Sequence, residues 1–441
     1  MSAKLRSAPK LLALLVSVTA CSAWAGSVTT EGEDLVINTN SGLEIKTVDD
    51  AFKFELGGKI QYDVTSYRGL ASASQSKHFA SSSDAFVRRG QLSLEGAAFT
   101  DWLYGVRLSY DGTEGNTDVD RVWIARDNIF DLAKLTVGKY KTNYGIENAT
   151  SSSWITAMER PAMYDFLAGG DDPDFGINLS HAGDNYSLMA QVATTGDKPG
   201  EVDEKPADSN NDIYGYTLRA TWAPILQPDQ VLHLGVDFHD SNPDNNETKI
   251  RSRFGIRSDA DDRMRFAEFE HTKRDSEYAL EAAYQLGSAR LQSEYYARQV
   301  RGTTDGDDAK ADINGYYAQI SWLFGSSRGY DAGEGKWKKP RDFNSWEVFA
   351  RYENTVIDAN KAASKKNIND NIDGITALHR GRKHDVDALT LGVNYFPNEN
   401  VRASLNYINY KISNIDTSAD IDGRKVKDDS SAIVARLQYA F

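Results

Sequence analysis

The sequence predicts an all-β protein, a transmembrane antiparallel β-barrel. Three observations carry that expectation: apolar and polar residues alternate with a period of two, tight turns alternate with long polar connections, and the chain ends on an aromatic residue of an amphipathic strand. Composition agrees. The 441 residues include 17 Phe, 8 Trp and 22 Tyr, too many for a disordered chain, while a mean hydropathy of −0.54 leaves no room for a bundle of membrane-spanning helices. No Pro- or Ser-rich linker divides the chain, so one large architecture is expected.

At the N-terminus, Lys4, Arg6 and Lys10 precede the apolar run from Leu11 to Ala20 and then Ala23-Trp24-Ala25, which reads as a secretory signal removed after Ala25. Val18-Thr19-Ala20-Cys21 permits a rival reading, a lipoprotein signal acylated at Cys21. Cleavage after Ala25 takes away the single Cys, which excludes disulfides, a thiol nucleophile and Cys-ligated zinc or iron–sulfur clusters. It also removes three positive and no negative side chains, moving the formal balance from −14 to −17. Such acidity argues against nucleic-acid binding. The expected division is a signal over 1–25, a periplasmic segment over 26–50 and the barrel over 51–441.

The first barrel segment sets Phe52, Phe54, Leu56, Ile60, Tyr62 and Val64 against Lys53, Glu55, Lys59, Gln61, Asp63 and Thr65. Tyr104, Val106, Leu108 and Tyr110 alternate with Gly105, Arg107, Ser109 and Asp111, and Tyr214, Tyr216, Leu218 and Trp222 with Gly215, Thr217, Arg219 and Thr221. Each is a two-faced strand. Ala182-Gly183-Asp184-Asn185 suits a hairpin turn, whereas 200–212, 242–248 and 358–373 are long and polar. At the end, Ile433, Ala435, Leu437, Tyr439 and Phe441 share one face and Val434, Arg436, Gln438 and Ala440 the other. A closed barrel pairs every backbone group in the hydrocarbon layer and leaves no edge. The polar faces are then expected to point inward, and the length suits roughly 14 to 18 strands around a water-filled lumen.

The sharpest chemical signal is the segment from Lys249 to Arg257. Read as one strand, it puts Lys249, Arg251, Arg253 and Arg257 on one face and Ile250, Phe254 and Ile256 on the other. Cations about 6–7 Å apart repel by about 0.6 kcal/mol per adjacent pair in water, and by a few-fold more where water is partly excluded. Such a row calls for anions or carboxylates opposite it. Spacing alone leaves two readings open, a staircase of weak anion sites and a solvated face neutralised by neighbouring acids.

Weaker signals surround it. Arg88 and Arg89 fall on opposite strand faces, so both enter a lumen only if a bulge re-aims one; snorkelling of Arg88 is the bland explanation. Asn369, Asn371, Asp373 and Gly374 imitate a calcium loop, but Arg380 stands where its Glu would be, which favours an ordinary polar loop. Seven His lack metal-ligand spacing, and neither a Gly-x-Ser-x-Gly nor a phosphate-binding Gly loop occurs. No enzyme activity, cofactor or metal is expected.

Several motifs, in matching order along nearly the whole chain, carry a family resemblance. They are Gly57-Gly58-Lys59-Ile60-Gln61, Phe86-Val87-Arg88-Arg89, Val137 to Gly145, Ala157-Met158-Glu159-Arg160, Gly315 to Gln319 and the terminal Phe. The chain resembles the phosphate-selective porins, the O/P porins. The resemblance implies a homotrimer of 16-stranded barrels in the bacterial outer membrane, each pore narrowed by an infolded loop from about Gly145 to Leu167. It places Lys59, Arg88, Arg89, Asp120, Ser151, Ser152, Arg160 and Arg257 at or near the anion-binding constriction, and Lys249, Arg251 and Arg253 on an outer ladder of basic residues.

The chain also departs from that pattern. Asn148 and Ser153 stand where phosphate-selective members carry basic residues, and Lys141 is a candidate compensating cation. One lost lysine contact is worth about 1.5–3 kcal/mol if well formed. The expectation is a passive anion channel for phosphate or polyphosphate, with lipid as its surroundings and Asp120 easing release. Two alternatives stay open: a general or cation-preferring porin, and a non-conducting surface or adhesin barrel plugged by its own loops.

Overall fold

The computed structural model describes residues 26–29, 34–39, 42–69, 82–112, 115–169, 175–194, 214–242, 246–257, 263–364, 378–417, 420–421, 424–425 and 427–441. The expected signal, the polar segment 200–212 and the calcium-loop imitation at 369–374 lie outside the described residues.

Three short strands come first, β1 (Gly26–Thr29), β2 (Asp34–Asn38) and β3 (Leu43–Thr47). The first half of the barrel is β4 (Phe52–Gly69), β5 (Ser82–Ala98), β6 (Trp102–Asp111), β7 (Asn116–Ile129), β8 (Ala133–Lys139), β9 (Phe175–Ala182), β10 (Tyr186–Thr194) and β11 (Tyr214–Gln227). Next come β12 (Gln230–Asn242), the loop strand β13 (Asn246–Ser252), β14 (Met264–Leu286), β15 (Ala289–Thr304) and β16 (Asp307–Phe324). A hairpin, β17 (Arg328–Asp331) and β18 (Lys336–Pro340), precedes β19 (Ser345–Ala359), β20 (Lys383–Phe396) and β21 (Val401–Ile412). Two-residue strands β22 (Asp420–Ile421) and β23 (Arg424–Lys425) lead to β24 (Asp429–Ala440).

Sixteen of these strands form the wall, each antiparallel to its neighbours, and β24 closes on β4 from Ser430↔Gly69 to Ala440↔Lys59. Phe441 completes the seam: its N–H donates to Gly58 O at 2.9 Å and its O accepts from Gly58 N at 2.8 Å. β1 to β3 form a meander that continues the sheet, Leu43 pairing with Leu56 of β4.

Period-two alternation becomes inside and outside. Ile60, Tyr62 and Val64 are 39%, 45% and 48% exposed, whereas Gln61, Asp63 and Thr65 are at 0%, 1% and 0%. Ile433, Leu437 and Tyr439 likewise face out while Arg436 and Gln438 are buried inside. One end of the barrel carries tight connections such as the turn at 183–185, where Gly183 N–H bonds Tyr186 O at 3.0 Å. The other end carries the long loops.

Two expectations need correction. Inward faces are not polar throughout: toward the long-loop end, Val300, Ile313, Ile357, Val386, Ile408, Ile412 and Val434 all point inward and are buried. They pack there with Phe166, Ile250, Phe254 and Phe266 of infolded segments, so loops rather than water fill that part of the lumen. The segment 249–257 is also not one strand. β13 ends at Ser252, and Phe254 and Gly255 take left-handed backbone angles, φ 50° and 76°. The Phe254 ring drives this, lying 4.8 Å from Tyr410, 5.9 Å from Phe266 and 6.1 Å from Phe166. Burial of an aromatic ring outweighs the local strain of about 1–3 kcal/mol.

Candidate functional site: a cation-lined passage

Between β8 and β9 the chain leaves the wall and crosses the lumen, with a single helical turn α1 (Ile146–Ala149) and a 3-10 turn at Ala162–Asp165. Its entry needs glycine at 145: φ is 76°, and a Cβ would meet Tyr164 Oη at 2.0 Å and Glu294 Oε1 at 2.5 Å.

A loop inside a barrel has backbone groups that need partners, and the wall supplies them by sign. Carboxylates accept its N–H groups, Asp237 from Gly145 at 2.9 Å, Glu294 from Ile146 at 3.0 Å, Glu353 from Ala162 at 2.6 Å and Glu277 from Ala168 at 2.9 Å. Arginines donate to its carbonyls, Arg402 to Ile155 and Thr156 at 2.7 Å each, Arg351 to Glu159 at 3.0 Å and Arg436 to Met158 at 2.5 Å. These buried charges hold the loop. Their inward parity follows from the strand alternation, but no local pattern marks them as anchors of a loop.

The loop and the filled half of the lumen leave a cavity of about 770 Å³ against the β4 to β11 side of the wall. Nine basic residues line it: Lys59, Arg89, Arg107, Arg121, Lys134 and Arg219 on the wall, Lys141 and Arg160 on the inserted segment, and Lys336 on the β17–β18 hairpin. Four carboxylates accompany them, Glu95, Asp111, Asp120 and Glu334. The passage is therefore electropositive within a chain of net charge −14.

Of the residues named from sequence, Lys59 donates to Ser152 Oγ, and Ser151 and Ser152 both line the cavity. Arg160 lines it while donating to the carbonyls of Glu147, Asn148 and Thr150 at 3.2, 3.3 and 3.4 Å. Asp120 is the extra residue of a bulge, because Arg107 pairs with Arg121 and Leu108 with Val119. Its Oδ2 lies 3.9 Å from Arg107 and 3.8 Å from Arg121. Lys141 donates to Ala149 O at 2.8 Å, beside Asn148, and both Lys141 and Asn148 line the cavity. Ser153 is buried, with its carbonyl bonded by Arg402 at 3.2 Å.

Arg88 and Arg89 do converge, through a bulge: Gln61 pairs with Arg89 and Tyr62 with Val87, so Arg88 is the extra residue. Arg89 reaches the cavity and bonds Gln61 Oε1 at 2.9 Å. Arg88 does not line it; its guanidinium is held by Asp111 at 2.6 Å and Glu159 at 3.1 Å. Arg257 is also turned to Glu159, at 3.5 Å, and Arg436 lies at 2.6 Å from the same carboxylate. Burial alone would raise the Glu159 pKa, but Arg88, Arg89, Arg436 and Arg257 together hold it well below the usual carboxylate range.

Lys249, Arg251 and Arg253 lie outside the cavity lining, on β13 and the turn after it. Lys249 pairs with Glu247 at 2.9 Å, Arg251 stands opposite Arg265 across the sheet, and the Arg253 N–H donates to Asp165 Oδ2 at 3.2 Å. Burial first, then Arg257, Arg263 and Arg88, lower the pKa of Arg253. The charged lining residues missed from sequence are Glu95, Arg121, Lys134, Glu334 and Lys336, together with the lumen roles of Arg107, Asp111 and Arg219. Arg107 and Arg219 were placed on polar strand faces, but nothing local marks which polar face borders water and which borders a packed loop.

Comparison with known proteins agrees with this geometry. The profile of the family described as phosphate-selective porin O and P matches residues 54–441. Porin O of Pseudomonas aeruginosa is 32% identical, over 98% of this chain and 97% of that protein. Among solved structures, OmpT, an outer membrane protein of Vibrio cholerae, superposes with a TM-score of 0.53 at 12% identity, covering 89% of this chain and 98% of that one. An anion-selective porin from Comamonas acidovorans gives 0.52 at 15%, covering 88% and 100%. At these identities the solved structures speak to the fold.

Proposed function

Since this chain belongs to the family of phosphate-selective porins O and P and is an outer-membrane porin, we propose that its passage is anion-selective and carries phosphate or a related oxyanion passively. The observation that supports this most is the excess of nine lining cations over four carboxylates inside an acidic protein. In this reading the long-loop end is extracellular, 26–50 is periplasmic, 1–25 is a removed signal, and the barrels assemble as homotrimers.

An anion gathers first around the half-buried cations of the segment 249–257, Lys249, Arg251 and Arg257, where its arrival offsets the positive charge that they and buried Arg253 concentrate there. It then sheds part of its water against Arg89, Lys59, Arg160 and the Ser151 and Ser152 hydroxyls. Arginine keeps its charge and offers a planar fork to two oxygens. Asp120, loosely held between Arg107 and Arg121, keeps binding shallow enough for exit. Lys141 next to Asn148 supports compensation for the basic residue missing there. The channel needs no turnover chemistry and is not an enzyme.

Reversal potential across a salt gradient in planar bilayers tests this reading. Anion preference is expected, and phosphate should block chloride current at low concentration. Cation preference would assign the protein to the general porins, and absence of current would make it a plugged barrel.

A further inference from the structure

The connection from β16 to β19 lies at the short-turn end, yet it sends the β17–β18 hairpin up into the lumen. Its body is fixed. Trp337 is buried, its indole N–H donating to Gln292 Oε1 at 2.8 Å and its ring 5.0 Å from the Arg290 guanidinium. Tyr330 Oη bonds His233 Nδ1 at 2.6 Å. The tip is fixed as well, because Arg219 donates to the carbonyls of Glu334 and Gly335 at 2.8 Å each.

With the backbone held, the Glu334 carboxylate meets Lys336 Nζ at 2.6 Å and accepts from Asn143 Nδ2 of the inserted loop at 3.2 Å. Lys134 of the wall lies in the same cavity lining, which takes in all four residues. Burial would raise the Glu334 carboxyl, but Lys336, Lys134 and Asn143 outweigh it and pull it down to about 2. A simple turn pair would involve Lys336 alone. Here Lys336 of the hairpin and Asn143 of the inserted loop both bond one carboxylate, and Lys134 of the wall lines the same cavity and acts on it through its field.

We propose that Glu334 is a tethered counter-anion of the permeation path, a specificity-determining carboxylate that pairs with Lys336 beside Lys134 and yields both lysines to passing oxyanions. The inference rests on the anion reading above. A monovalent ion replaces the carboxylate poorly, since it satisfies one lysine at a time. A multiply charged oxyanion has enough oxygens to engage both lysines and Asn143 while Glu334 swings aside. The carboxylate thus weakens binding of every anion, and of small monovalent ones most, and returns to the lysines as the solute leaves.

Full-length wild type and Glu334→Gln are compared in planar bilayers by titrating chloride current with inorganic phosphate. The half-blocking phosphate concentration is expected to fall by about fivefold or more, the Boltzmann factor for a like charge about 4 Å away in water, while Glu334→Asp stays near wild type. Unchanged block in Glu334→Gln at wild-type open-channel conductance overturns the proposal. Should that variant fail to insert, Lys336→Gln probes the same pair: weaker phosphate block supports the proposal and unaltered block overturns it. Cation preference of the wild type would sink the anion reading itself, whereas anion preference with unmoved block sinks only the role of Glu334.

Discussion

Glu159 shows how a single residue can be both legible and misleading. The Ala-Met-Glu-Arg motif marked it as part of a family pattern, but nothing in the motif says that Arg88, Arg257 and Arg436 come from three distant segments to meet it. Its depressed pKa means that its ion pairs contribute fully above the ordinary carboxylate pKa and are lost only as pH falls through the lower folded value. Glu159 is therefore expected to produce no step in conductance between about pH 7 and about pH 5, checked by single-channel recording; a step within that window would place the titrating group elsewhere. Glu159→Gln strands several buried guanidiniums, at a cost of about 3–5 kcal/mol. The midpoint for heat-induced loss of the folded form should drop accordingly, and phosphate block should tighten.

Among elements, wall strands were readable and infolded ones were not. Alternation in β4 or β24 arises because one face turns to the barrel exterior and the other to the lumen, so two residues suffice to define the pattern, although an inward position such as Val434 meets packed loop and is itself apolar. Residues 249–257 meet a packed loop core on one side, and the Phe254 ring overrides the period after Ser252. The cations there remain grouped, but by a turn and not by strand parity. Arg257→Ala is expected to lower anion conductance, and combined replacement of Lys249, Arg251 and Arg253 by Gln to flatten its dependence on anion concentration. Current–concentration curves check both, and unaltered curves in both variants would remove this segment from the pathway. The inserted loop follows from the family resemblance, whereas its anchoring by Asp237, Glu294, Arg402 and Arg351 follows from no local pattern. Inward parity identifies a lumen-facing charge without saying whether it meets water or a backbone group.

Across the whole molecule, charge is separated by location: acidic overall, basic along the passage. Screening turns that separation into a measurable signature. At about 0.01 M salt the Debye length is about 30 Å, so an ion at the mouth senses acidic loops as well as lining cations; at about 0.1 M it is about 10 Å, and at about 1 M about 3 Å. Within the narrow passage an ion lies close to several cations at once, and the low-dielectric wall and loop core restrict how much salt can screen them. Anion preference is expected to fall as both bathing solutions are raised at a fixed concentration ratio, yet to persist at high salt, because the contacts with Arg89, Lys59 and Arg160 are shorter than the screening length. Reversal potentials measured at successive mean concentrations decide this. Selectivity that vanishes at high salt would assign discrimination to the diffuse field of the mouth, and would leave the lining residues with no specific part in choosing the ion.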